Sequence, residues 1–202
     1  MRSLALLVAT GVALSACGGG GGGGSTCSAS NCVGCCLNGA CQAGTTAAGC
    51  GRNGAACVQC STNQVCRADQ ACGVDPESTW RVQPVSASIA SSNNGSAWDG
   101  DGSGPDVKVY GWCPPFPSSA SATPEASDTY QASWTSGGCT AKAKDLLASG
   151  WTFQVFDIDL VSDDTITAQL NVTLGEAQFI QGGFSLPPTG GLTAMSVQLV
   201  KQ

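Results

Sequence analysis

The sequence predicts an all-β protein in which an antiparallel β-sandwich over residues 76–202 follows a small disulfide-rich domain over residues 27–72. Three observations carry that expectation. Ten of the thirteen cysteines lie between Cys27 and Cys72. From Pro76 onward, apolar residues alternate with polar ones in short runs separated by Gly, Pro, Ser and Asp, the pattern of half-buried strands joined by turns. Only Lys142–Ala148 has helical spacing, so the remainder of the larger domain falls to strands packed as two sheets.

At the N-terminus, residues 1–16 combine Arg2, an apolar run from Leu4 to Leu14 and two small residues, the composition of a secretory signal peptide. The run is too short to span a bilayer. Leu14-Ser15-Ala16-Cys17 resembles the lipobox of bacterial lipoproteins. The resemblance implies cleavage before Cys17 and acylation of Cys17 with palmitate-type chains, which anchor the protein to a membrane. Gly18 stands where an Asp would imply retention at the inner membrane, so the implied location is the outer membrane, on its periplasmic or surface face. More than one acyl chain makes such an anchor stable without help from the protein. The seven glycines Gly18 to Gly24 make residues 17–26 a flexible tether that buries nothing.

Without Cys17, twelve cysteines remain, ten in the first block and two, Cys113 and Cys139, in the second. Even numbers in an exported chain predict disulfides, five in the small domain and one between Cys113 and Cys139. Few large apolar residues accompany the ten, among them Val33, Leu37, Val58 and Val65, so covalent staples must supply what a core cannot. Asn38-Gly39 and Asn53-Gly54 mark tight turns. The pairs Cys32/Cys35 and Cys57/Cys60 have zinc-ribbon spacing, but the adjacent Cys35-Cys36 and an oxidising compartment favour disulfides. The stretch resembles the Cys-rich repeats of bacterial surface lipoproteins and, through Cys50-Gly51 and its following spacing, growth-factor-type modules. That resemblance names no activity, and the expected role of the stretch is a rigid spacer holding the next domain off the membrane.

Charge and composition exclude several functions. Eight basic residues against fourteen acidic ones give a net charge of −6. Loss of Arg2 with the signal peptide makes it −7, which opposes binding to nucleic acid or to an anionic surface. The chain contains no His. That removes Ser-His and Cys-His nucleophiles, His-ligated zinc and the commonest general base, and with them the expectation of an enzyme.

In the larger domain the expected strands are Trp80–Ile89, Val107–Trp112, Thr129–Trp134, Thr152–Ile158, Thr165–Val172 and Met195–Val200, with a weaker one at Gln178–Phe184. Trp80, Trp112 and Trp151 are assigned to the core. Trp98 is assigned to the surface near a functional loop.

Seven of the fourteen acidic residues fall in two short windows, Asp99, Asp101 and Asp106, then Asp157, Asp159, Asp163 and Asp164. Each window abuts an expected strand, which puts the carboxylates on connecting loops. Carboxylates this close repel unless a cation neutralises them, and hard oxygen ligands suit calcium. An EF-hand reading of Asp99-Gly-Asp101-Gly-Ser103 fails, because Tyr110 occupies the position of the bidentate Glu and a strand follows.

Trp151 to Asp159, with Asp163-Asp164 after it, resembles the third calcium loop of C2 domains. Gly104-Pro105-Asp106-Val107-Lys108-Val109 likewise resembles the end of that family's first loop. The resemblance implies a C2-like sandwich in which Asp106, Asp157 and Asp159 ligate calcium, Asp99 or Asp101 opens the first loop, and Asp163 or Asp164 closes the third. The third loop is one residue short of the family spacing, and Val107-Lys108 replaces the aromatic that commonly follows the first. Leu160 and Val161 fall at the tip of the third loop, placed with Trp98 to contact lipid or a protein or glycan partner. Two functions follow as expectations: calcium-dependent binding to lipid, protein or glycan, or a structural, adhesive lipoprotein whose sandwich binds carbohydrate or protein without calcium.

Overall fold

Between Cys27 and Cys72 the backbone forms three two-stranded antiparallel ladders: β1 (Cys35–Leu37) with β2 (Ala40–Gln42), β3 (Thr45–Thr46) with β4 (Gly49–Cys50), and β5 (Val65–Cys66) with β6 (Cys72–Gly73). The β1–β2 hairpin turns on Asn38 and Gly39, both at positive φ (52° and 79°), as a two-residue hairpin loop demands. Five disulfides join Cys27–Cys36, Cys32–Cys41, Cys35–Cys57, Cys50–Cys66 and Cys60–Cys72. Cys32, Cys35, Cys50 and Cys60 are buried while Val33, Leu37 and Val58 are exposed, so sulfur fills the interior that aliphatic side chains would otherwise occupy. The computed structural model describes residues 26–202. Residues 1–16, Cys17 and Gly18 to Gly24 lie outside the described residues. Among those described, no helix is long and apolar enough to cross a membrane.

The larger unit comprises β7 (Thr79–Ile89), β8 (Val107–Trp112), β9 (Ser121–Ala122), β10 (Gln131–Ser133), β11 (Cys139–Lys142), α1 (Ala143–Ser149), β12 (Trp151–Asp157), β13 (Asp164–Thr165), β14 (Leu170–Val172), α2 (Glu176–Gln181), β15 (Gly183–Leu186) and β16 (Leu192–Lys201). One sheet runs β10-β7-β16-β15 with β11 also on β7, and the other runs β13-β12-β8-β9 with β14 also on β12. All these pairings are antiparallel, so the fold is the all-β sandwich expected behind a disulfide-rich domain. Alternate residues of each strand meet in one core. Trp80 meets Phe179 edge-on at 5.1 Å and Trp151 stacks on Phe153 at 4.9 Å, among Val82, Val109, Leu146 and Met195. The Cys113–Cys139 disulfide ties the end of β8 in one sheet to β11 in the other.

Several expected elements differ. The single strand at Thr165–Val172 is two short strands, because the amides of Ile166 and Thr167 both donate to the Val155 carbonyl at 3.0 and 3.1 Å. That doubling bulges the edge and breaks the ladder. The weak strand at Gln178–Phe184 begins as α2. Gln178 Oε1 accepts the Gly175 N–H at 3.0 Å, and Gly182, at φ 77°, ends the helix in the left-handed conformation that glycine adopts freely. Phe179 is thereby aimed at Trp80. Trp112 is not core. It shares the outward parity of Lys108 and Tyr110, whereas Val107 and Val109 face in. Trp134, left unassigned above, is buried.

The two units touch along α2. Arg67 Nη1 donates to Glu176 Oε1 at 2.7 Å, and Asn63 Nδ2 donates to the Phe179 carbonyl at 3.0 Å.

Candidate functional site

The inward face of β12 reads Trp151, Phe153, Val155, Asp157. The strand's alternation, which buries three apolar side chains, thus carries a carboxyl to the same depth at the end of the sandwich. Asp157 is fully buried. Its Oδ1 accepts the Asp106 N–H at 2.6 Å, while its Oδ2 is buried with no hydrogen-bond partner among the described residues. Burial, above all, pushes its pKa up to about 6, and the charges of Asp99, Asp159 and Asp106 push the same way against the Asp106 N–H. A buried oxygen left unpaired is costly and rare in folded proteins.

The remaining carboxyls are arranged around it on three loops. Asp106 Oδ1 accepts the Asp128 N–H at 2.7 Å, so the loop after β9 is held against the loop before β8. The Ser103 hydroxyl reaches Asp99 Oδ2 at 3.1 Å and Asp101 Oδ1 at 2.7 Å. Bonds from the Ser103 hydroxyl and amide keep the Asp101 carboxyl below its ordinary pKa. Asp159 is pushed up by burial first and then by Asp99, Asp164, Asp163 and Asp106. Asp163 Oδ1 accepts the Asp159 N–H at 3.2 Å, and Asp164 Oδ2 accepts from Asn93 Nδ2 at 3.2 Å.

A cleft of about 550 Å³ opens among these loops, and the carboxylates of Asp99, Asp101, Asp106, Glu125, Asp128 and Asp159 line it. No Lys or Arg does. The two acidic windows, fifty residues apart in sequence, therefore converge, with Asp157 beneath and Asp163 and Asp164 outside the lining. Glu125 and Asp128 were not foreseen, since neither belongs to an acidic run. Only the topology, which sets the β9–β10 connection beside the other two, brings them in. Among the described residues no three carboxylates bring an oxygen each within 4.8 Å of one another, as expected of like charges free to spread apart.

Leu160 and Val161 are fully exposed at the lip, at 106% and 97%, and both line the cleft. The expectation for Trp98 is corrected. It is 5% exposed, its Nε1 donates to the Ala90 carbonyl at 2.7 Å, and its ring occupies the space that a Cβ at Gly191 would need. It is packed into the sandwich and is not the exposed ring expected beside the loop, because a large ring near a loop lowers its free energy most by leaving water.

The donor set is wholly hard oxygen, the chemistry that calcium takes, and the unpaired Asp157 Oδ2 is an acceptor that a cation would satisfy. Of the expected ligands, Asp99, Asp101, Asp106 and Asp159 line the cleft and could hold such an ion, and Asp157 is close enough for the charges of Asp99, Asp106 and Asp159 to act on it.

No sequence profile of a known family matches the chain, and no curated protein matches it. Among solved structures it is similar to a C2 domain, with 14% identity and a TM-score of 0.39 over 60% of this chain and 97% of that one. It is also similar to the C2 domain designated A of a plant extended synaptotagmin 1, with 12% identity and a TM-score of 0.43 over 63% of this chain and 98% of that one. A calcium-bound structure of the paired C2 domains, A and B, of extended synaptotagmin 2 matches with 13% identity and a TM-score of 0.43 over 63% of this chain and 47% of that one. The calcium there belongs to that protein.

Proposed function

We propose that this chain is a lipid-anchored surface protein whose C2-like sandwich binds calcium in the three-loop cleft and, through the loaded loops, a lipid, protein or glycan partner. It is read as a binding protein and not as an enzyme. The observation that carries the proposal is Asp157: a fully buried carboxyl with one oxygen unpaired, under the charges of Asp99, Asp106 and Asp159. Bound calcium would supply the positive charge that such a group lacks, and the protein's part is to present Asp157 at the end of β12, Asp106 just before β8, and Asp99 and Asp159 on the adjoining loops. Leu160 and Val161, exposed beside the cleft, give the partner an apolar foothold of two side chains.

A second reading, a structural or adhesive lipoprotein whose sandwich binds carbohydrate or protein without calcium, has its own support. Ser103 and Asn93 already hydrogen-bond Asp99, Asp101 and Asp164, and the carboxylates stand apart. Thermal melting separates the two. Extracellular calcium modules bind with dissociation constants on the order of 10⁻⁴ to 10⁻³ M, and ligand at about 100 times that constant adds roughly 2.7 kcal/mol to the native state. Wild type should therefore melt several degrees higher in calcium than in EDTA. Equal melting temperatures would sink the calcium reading. Anchoring is tested separately: Cys17→Ala should leave the precursor uncleaved and unacylated, and normal processing of that variant removes the lipoprotein assignment.

A further inference from the structure

We infer that the outer face of the β8–β12 sheet is a binding platform for a neutral glycan, with Tyr110, Trp112 and Phe156 as the rings on which its sugars lie. The inference deepens the second reading, in which the sandwich binds carbohydrate without calcium, and it uses none of the residues of the acidic cleft. Register builds the platform. β8 buries Val107, Val109 and Gly111 and β12 buries Trp151, Phe153 and Val155, so the residues between them share the outer face. Antiparallel pairing sets Trp112 opposite Thr152, Tyr110 opposite Gln154 and Lys108 opposite Phe156. The rings therefore run diagonally over two strands. Phe156 meets Tyr110 edge-on at 5.6 Å, and Trp112 lies two residues beyond Tyr110 on one strand, roughly 7 Å along it.

A solvated sheet face ordinarily carries polar side chains, and the other sheet obeys: its register lines up Ser133, Ser86, Ser196 and Ser185 on the outside. Three rings in the corresponding place are half-buried, so each keeps apolar surface in water that a ligand would cover. Among the described residues no hydrogen bond engages the Tyr110 hydroxyl or the Gln154 amide, which leaves both for a ligand. A sugar ring has an apolar C–H face and an edge of hydroxyls, the two chemistries that rings beside amides satisfy together. Charge decides the kind of glycan. Among the paired positions of this face, out to Asn171, Thr165 and Ala122, Lys108 is the only charged residue. One ammonium, 5.9 Å from the Tyr110 ring centroid, in a chain of net charge −6, falls short of the cluster of cations that an anionic lipid surface calls for.

The test is co-sedimentation of the intact protein, in EDTA, with insoluble neutral polysaccharides (cellulose, chitin, mannan and starch) and with phosphatidylserine vesicles, with thermal melting as a folding check. Wild type should bind at least one polysaccharide, and equally well in about 1 M salt, where charges beyond roughly 3 Å are screened. Tyr110→Ala and Trp112→Ala, whose side chains lie outside the core, should each bind about tenfold more weakly or worse. Gln154→Ala removes no ring and should bind a few times more weakly, which keeps the test open where a ring variant misfolds. Wild-type affinity in all three variants overturns the platform and leaves the carbohydrate reading standing. No binding of wild type to any of the four polysaccharides overturns both. Binding to the vesicles in place of polysaccharide, abolished in Lys108→Gln, makes the face a lipid surface and overturns the glycan.

Discussion

From Cys27 to Cys72 the chain turns its large aliphatic side chains outward and its sulfurs inward, whereas from Thr79 to Lys201 it buries four of its five tryptophans and holds a single disulfide. The first unit makes only two- and three-residue strands, and the second makes strands of up to eleven residues, in β7. The two solve one thermodynamic problem in different ways. Five cross-links restrict the unfolded chain of the small unit, whereas apolar burial lowers the free energy of the folded sandwich. The same chemical change should therefore have unequal consequences in the two.

The largest effect is expected from replacing Cys35 and Cys57 together with Ser. A small domain commonly loses about 2–5 kcal/mol with one native disulfide and often ceases to fold. Amides of residues 27–72 should exchange freely while those of β7, β12 and β16 stay protected. Protection retained throughout the small unit would show that it has a core after all. Replacing Cys113 and Cys139 with Ala should cost about 3 kcal/mol for a loop of 26 residues, yet leave a folded sandwich with a sharp denaturant transition. Unfolding of that variant in buffer would erase the contrast between the units.

The smallest effect concerns Asp157 in calcium-free protein. Its pKa is about 6 when folded and about 3.9 when unfolded. Between those values the folded chain keeps a proton that the unfolded chain has lost. Stability should fall as pH rises from about 4 to about 6 and level off above, by on the order of 2 kcal/mol. Asp157→Asn can still accept the Asp106 N–H, so it should flatten that profile and exceed wild type near neutral pH in denaturant melts. Parallel profiles would mean that the buried carboxyl costs nothing.

The fold class was legible because it depends on periodicity and cysteine counting, both of which are local. Val107-x-Val109 and Trp151-x-Phe153-x-Val155 announce strands, and Cys113 and Cys139 are the only two cysteines left for each other. What escaped was set by register and packing. Trp112 has the outward parity of Lys108, which its run discloses, but aromatic character masks it. The burial of Asp157 follows from the same parity rule applied to Trp151, and an acid at an inward position was the strongest clue to the site in the whole string. Asp128 and Glu125 were illegible, since nothing local says which loops meet at one end of a sandwich. The α2 turn was hidden because Phe179, Ile180 and Phe184 suit a strand equally well until Gly175, Gln178 and Gly182 are seen to cap a helix.

The contacts of Asn63 and Arg67 with α2 have a mechanical consequence. A pull arriving from the N-terminal side of the small unit enters a segment in which five cross-links allow little extension. It then reaches the sandwich by two routes, through the backbone into β7 and through the α2 clamp into the helix that covers Trp80. β7 is paired along most of its length with β16, from Trp80↔Lys201 to Ile89↔Leu192. Load drawn along β7 must shear those bonds together, not peel them one at a time. The acidic loops lie beyond the far end of that ladder, so load entering at Thr79 meets the β7–β16 bonds before it meets those loops.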